Sequence, residues 1–168
     1  LPRYVTNENE WRARVVINYT PPQINSIRMD LHENPDSSFT VILQDTRHFS
    51  LKNKDGKELP FDEFKMKQFI AYFQNLSYEG LITGINPKLL DSLDKAGPFV
   101  TITVQGPNFK KDTYKFYHKT NKGLIPEHGV VLRFDPDRMF IRFDNEREWA
   151  LIQSFVFGKI LVNYSYFL

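Results

Sequence analysis

Residues 133–144 read RFDPDRMFIRFD and form the densest acidic motif of the chain, with Asp135 and Asp137 one residue apart and Arg133 and Arg138 beside them. Two carboxylates this close could ligate a metal, serve as an acid/base pair, or turn the backbone. A calcium loop needs oxygen ligands at its first, third and fifth positions, glycine at the sixth and glutamate at the twelfth. Counted from Asp135, Asp137 and Glu146 fall correctly, but the fifth and sixth positions are Met139 and Phe140, so the loop fails where the backbone must turn. A glycosidase pair is conceivable, yet sequence does not fix the distance between its carboxylates. The turn reading is more specific. A four-residue loop Asp135-Pro136-Asp137-Arg138, of type I with Asp first and Pro second, predicts pairing of Phe134 with Met139, Leu132 with Ile141 and Val130 with Phe143. It would place six apolar side chains on one sheet face.

Other chemistry is thinly signalled. Residues 108–122, NFKKDTYKFYHKTNK, interleave five lysines with aromatics. That is a pattern used to hold single-stranded nucleic acid. It is equally the pattern of a half-buried strand with one solvated side, and the glycines of an RNA-recognition strand are missing. The four histidines, His32, His48, His118 and His128, show no ligand spacing. There is no G-x-S-x-G elbow, P-loop or dinucleotide glycine pattern. Asn18, Asn75 and Asn163 head glycosylation sequons, which are frequent by chance. No catalytic residue, metal site or cofactor is expected.

The elements that would position these residues follow from periodicity. Ile27, Met29 and Leu31, then Phe39, Val41 and Leu43, then Phe49 and Leu51 alternate as three half-buried strands, with turns at Asn34-Pro35-Asp36, Asp45-Thr46 and Lys54-Asp55-Gly56. Met66, Phe69, Ile70 and Phe73 change the period to that of an amphipathic helix. Asn86 and Pro87 start a second helix through Leu89, Leu90 and Leu93, which ends near Gly97-Pro98. Val100, Ile102 and Val104 return to strand, Gly106-Pro107-Asn108 turns, and Tyr114, Phe116 and His118 alternate with Lys115, Tyr117 and Lys119. Asn7 with Glu10, and Asn145 with Glu148, read as capping boxes for a short first helix and for a last helix through Trp149, Ile152 and Val156. The expected class is α+β, mostly antiparallel sheet with helices packed on one face, as two successive strands-then-helix units. One compact domain over 1–168 is expected, within which 20–96 and 97–168 read as two similar units.

Composition narrows the function classes. Of 168 residues, 15% are aromatic and 25% charged, which describes a folded domain with a large core. A net charge of +2 gives no strong field for nucleic acid. The absence of cysteine excludes disulfides, thiolate metal sites and cysteine nucleophiles. No apolar run approaches the roughly 18 to 20 residues that span a bilayer. The start at Leu1-Pro2, without a signal-peptide pattern, fits a fragment or mature form whose address lies upstream.

Three stretches, LPRYVTNENEWRARVVINYTPPQINSI, SLKNKDGKELPFDEFKMKQFIAYFQNLSYEG and DPDRMFIRFDNEREWALIQSFVFGKI, together resemble an uncharacterised family. It is the C-terminal half, a domain of unknown function, of membrane-anchored envelope proteins of Gram-negative bacteria, distantly similar to auxiliary proteins of gliding-type ABC exporters. The resemblance implies an upstream membrane anchor in the inner membrane, a periplasm-facing domain and no established catalytic residue. The tryptophan that such proteins often carry after their second strand is missing near Leu51. The resulting expectation is a non-enzymatic extracytoplasmic module acting through protein or envelope-component contacts, touching membrane only through that anchor and binding no nucleic acid. The alternative is a carbohydrate-binding or hydrolytic domain using Asp135 and Asp137. Candidate contact residues are Lys115, Tyr117, Lys119, Tyr164 and Tyr166; a packed or edge-strand terminus is the competing reading of the last two.

Overall fold

The computed structural model describes residues 14–120 and 133–168. In chain order the elements are β1 (Val15–Ile17), β2 (Ser26–Leu31), β3 (Phe39–Leu43), β4 (Phe49–Asn53), β5 (Glu58–Leu59), α1 (Glu63–Ala71), β6 (Leu76–Ser77), β7 (Gly80–Ile82), α2 (Pro87–Ala96), β8 (Val100–Gln105), β9 (Lys111–Thr120), β10 (Phe134–Phe143), β11 (Glu148–Gln153) and α3 (Ser154–Phe157). A 3-10 turn, Tyr164–Phe167, ends the chain. Among the described residues, β1 pairs only with β6, and nine strands form one antiparallel sheet ordered β5-β4-β3-β2-β8-β9-β10-β11-β7. Two meanders therefore join side by side through β2 and β8. The mostly antiparallel α+β class is as expected.

The helices form where the sequence starts and stops them. Asp62 accepts the Lys65 N–H at 2.9 Å and so satisfies one of the donors left free at the start of α1. Asn86 does the same for the Lys88 N–H at 2.9 Å, with Pro87 at the first helical position. Gly97, at φ 71°, ends α2 in a conformation that costs a side chain strain. The β8–β9 turn needs glycine for a different reason: a Cβ on Gly106 would lie 2.9 Å from the Gln23 carbonyl oxygen.

The large core lies under one face of the sheet. Ile27, Met29, Val41, Leu51, Ile102, Phe116, Ile141 and Ile152 point into it from successive strands, and Met66, Phe69, Ile70 and Phe157 cover it from α1 and α3. Its centre is a triangle of edge-to-face rings: Phe39 to Phe167 at 5.2 Å, Phe69 to Phe167 at 5.1 Å and Phe39 to Phe69 at 6.0 Å. The C-terminal turn is thus a core plug, held by the Asp62 N–H donating to the Phe167 carbonyl at 2.6 Å. A refinement of the expected one-sided packing is that α2 covers the opposite face. There Leu93, Tyr117, Phe140 and Trp149 form a second, smaller core.

Two local expectations are corrected. Phe134 does not pair with Met139, because β10 continues through Asp135–Arg138 without reversing; the partners on β9 are Thr120 for Phe134 and His118 for Met139. Four residues therefore stand opposite Lys119 alone, which is a large bulge, one of the few settings a sheet offers to proline. The Leu132 and Val130 pairings, and the Asn7 capping box, fall outside the described residues. The expected last helix is mostly strand. Asp144, Asn145 and Glu146 adopt φ of 53°, 53° and 65° and reverse the chain, so the four-residue loop lies at 144–147, with Phe143 opposite Glu148. Asp and Asn tolerate that left-handed conformation best, and Asn145 is a turn residue rather than a cap. Beyond it, Trp149 and Ile152 are buried in different cores, as a strand between two covered faces requires.

Replacing Phe167 with Ala is expected to destabilise the protein by about 3–4 kcal/mol, since a fully buried ring leaves a cavity in a ring cluster. Phe155→Ala, at a ring 93% exposed, should stay within about 0.5 kcal/mol. Denaturant midpoints of the two variants check both values.

Candidate functional site

The acidic motif serves the bulge. Asp135 Oδ1 accepts the backbone N–H of Asp137 at 2.8 Å and of Arg138 at 3.2 Å, while Oδ2 accepts from Lys119 Nζ at 3.3 Å across the strand pair. Its side chain is only 9% exposed. Burial acts to raise the Asp135 carboxyl, but the bonds from Asp137, Lys119 and Arg138 outweigh it and hold the group below its ordinary value. Arg138 continues the clamp, donating from Nε and Nη2 to the two Glu79 carboxylate oxygens at 2.8 and 3.2 Å. This bidentate pair ties β10 to the segment between β6 and β7 and lowers the Glu79 carboxyl. Asp137 is exposed and outside the main cleft. Among the described residues no group of three His, Asp or Glu side chains could hold a metal.

The main concavity lies where the C-terminal end of α2 meets the ends of β9 and β10, with a volume of about 720 Å3. Leu89, Leu93, Tyr117 and Phe140 supply apolar walls. Another wall is a column of flat groups. The His118 ring stacks between Phe99 at 3.9 Å and Phe134 at 4.1 Å, tilted by 13° and 7°, and the Arg133 guanidinium caps Phe134 at 4.9 Å. Glu33 orients the imidazole through an Oε1 to Nε2 hydrogen bond of 2.7 Å. Lys119 lines the cleft beside this column. An apolar floor with few, convergent polar groups is the usual make-up of a binding site.

A second hollow of about 470 Å3 lies between the segment after β1 and the β8–β9 turn. Its inner wall is a short chain of hydroxyls: Tyr19 Oη donates to Asp112 Oδ2 at 2.6 Å and shares a 2.6 Å bond with Tyr114 Oη. Burial, then the Asp112 and Tyr114 bonds, push the Tyr19 phenol up; burial pushes Tyr114 up to about 12. Both phenols stay protonated at neutral pH and act as hydrogen-bonding groups.

The five candidate contact residues are distributed rather than gathered. Tyr117 and Lys119 line the main cleft, Tyr117 as a buried ring 4.8 Å from Trp149. Lys115 is ion-paired to Glu146 on the open part of the same sheet face. Tyr164 and Tyr166 lie on the large core, where Tyr166 Oη donates to Gln68 at 3.1 Å. Nucleic-acid binding would require the five lysines of the basic-aromatic segment on one surface; Lys115 and Lys119 are spent on ion pairs, Lys110 and Lys111 lie at the far end of β9, and Lys122 is outside the described residues. Sequence reasoning missed His118, Phe99, Phe134 and Glu33. Their residue types give no signal because 85 positions separate Glu33 from His118. Neither a family model, nor a curated protein, nor a solved structure matches the chain.

Asp135→Ala is expected to cost about 1–2 kcal/mol, because two backbone donors and Lys119 lose their partner, whereas Asp137→Ala stays within about 0.5 kcal/mol. The native Asp135 carboxyl titrates below its ordinary value of 3.8, so its contribution is complete above that value and is lost as pH falls through the depressed native value. Asp135→Asn should therefore flatten the acid side of the stability curve, read by urea unfolding between about pH 2 and 5.

Proposed function

We propose that this chain is a non-enzymatic recognition module, the extracytoplasmic part of a membrane-anchored envelope protein, and that its partner seats in the cleft between α2, β9 and β10. The observation that carries this reading is the division of labour between the two regions. The acidic motif, the best candidate for catalysis, is consumed by the bulge, with Asp135 satisfied by three donors. The cleft has apolar walls and a fixed aromatic-imidazole column. Of its cations, Lys119 is paired to Asp135 and Arg133 stacks on Phe134, and its single carboxylate, Glu33, is bonded to His118. Such a lining suits an apolar segment of another envelope protein or component. Envelope placement is supported by the likeness of the three quoted stretches; among the described residues no helix is long and apolar enough to cross a membrane.

Ser92 and Ala96 line the cleft from α2 and are exposed, so both tolerate substitution. A photo-crosslinkable residue at Ser92 in the membrane-embedded full-length protein is expected to trap one partner species. The same residue at Asn145, in the β10–β11 turn, should not trap it, and Ala96→Trp should remove the Ser92 product while changing stability by no more than about 0.5 kcal/mol. Equal trapping at both positions, or trapping indifferent to Ala96→Trp, contradicts the assignment of the cleft. Fractionation that leaves the full-length protein in the cytosol contradicts its placement.

A further inference from the structure

The tip of the β8–β9 hairpin holds a Phe where packing gives no reason for one. Phe109 is 85% exposed. It and Asn108 both adopt the left-handed conformation, at φ 61° and 62°. Asn accepts that conformation readily; a bulky ring does not, and glycine would relieve it. The strained backbone lowers stability and the exposed ring gains no burial in return, which points to a use for the ring outside the fold. Its sequence neighbours are Pro107, Lys110 and Lys111, all exposed. Among the described residues no carboxylate lies within ion-pair distance of either lysine. The nearest acid in sequence, Asp112, is turned inward to the Tyr19 hydroxyl at 2.6 Å and forms no ion pair with either lysine.

The sheet register places further charge at the same end. Ser26 pairs with both Ile42 and Gln105, so the turn after β3 and the turn after β8 leave the sheet side by side, roughly 15 Å apart by three strand spacings. The first of these turns carries the exposed Arg47, whose backbone N–H donates to Asp45 Oδ1 at 2.7 Å, while Asp45 Oδ2 meets the His48 ring at 2.6 Å. Arg142 pairs with Lys115, which brings the 144–147 turn to this end as well, and there Asp144 is neutralised by Arg147 at 2.9 Å. One end of the sheet thus presents a protruding ring flanked by two lysines that have no ion pair among the described residues, with Arg47 and its neighbour Asp45 in the adjacent turn.

We propose that this end of the sheet is a contact for an anionic lipid surface, with Phe109 as the inserting wedge and Lys110 and Lys111 as its electrostatic collar. A protein partner would call for a contiguous apolar patch, whereas here a single ring stands among cations, the arrangement that combines shallow insertion with attraction to acidic headgroups. The contact is separate from the α2 cleft and adds a second membrane attachment to the anchor expected from the sequence.

Co-sedimentation of the full chain with vesicles of phosphatidylcholine containing about 30% phosphatidylglycerol tests it. Binding is expected to the mixed vesicles, to be weak on phosphatidylcholine alone, and to fade as salt rises toward about 0.5 M. Lys110→Gln and Lys111→Gln should each weaken the apparent Kd by roughly five-fold. Phe109→Gly should weaken it by about ten-fold while leaving the thermal midpoint unchanged or higher, since glycine relieves the backbone strain; this separates lost contact from lost folding. Binding that ignores phosphatidylglycerol, a Phe109→Gly variant that binds like the parent, or no vesicle binding at all overturns the proposal. Association that depends on Phe109 yet occurs only with a protein replaces the lipid by that protein and equally overturns it.

Discussion

The arrangement rests on the alternation of side chains along β9. Phe116 and Tyr117 are neighbours, so they must point to opposite faces of the sheet, and both are buried. A sheet with one covered face could hide only one of them. Phe116 enters the core closed by α1 and the Phe39–Phe69–Phe167 triangle, and Tyr117 enters the small core beneath α2. Helix α2 therefore crosses the face that α1 leaves open, over β9, β10 and β11. The cleft is the space between the end of that helix and the ends of β9 and β10. His118, next along the strand, is left at its mouth, where Phe99 and Phe134 stack on either side of it.

The bulge at Asp135–Arg138 belongs to the same logic. Without it, β10 would keep step with β9 to its end. The extra residues re-aim the start of the strand, and Phe134 arrives on His118 while Arg138 reaches Glu79, 59 residues earlier in the chain. The charged groups here act at short range: Lys119 on Asp135, Arg138 on Glu79, Glu33 on His118. Exposed pairs such as Lys67–Glu63 and Lys95–Asp91 contribute little by comparison, about 0.3–0.5 kcal/mol each.

Local pattern carried much of the fold. The alternation of Ile27, Met29 and Leu31, the helical spacing of Met66, Phe69, Ile70 and Phe73, and the Asn86-Pro87 start of α2 are short-range signals, and the chain obeys them. What failed was decided at long range. Asp-Pro-Asp reads as a reversal, but a polar turn becomes a bulge when a lysine opposite and a glutamate far away hold the strand in the sheet, and neither partner is visible locally. Asn145 and Glu148 match a capping box in type and spacing; the burial of Trp149 and Ile152 on opposite faces made the segment a strand instead. The cleft was only partly legible. Tyr117 and Lys119 stood out through their basic-aromatic surroundings, while Phe99, Glu33 and Phe134 come together around His118 only after four strands, β2, β8, β9 and β10, have found their order.

Hydrogen exchange of the full-length protein in its own membrane, compared with the purified chain, tests the cleft most directly. The account predicts slower exchange in the membrane along residues 118–120, 134–140 and the last turn of α2. Unchanged exchange around the cleft, with new protection confined to the open sheet face or the α1 side, would contradict it.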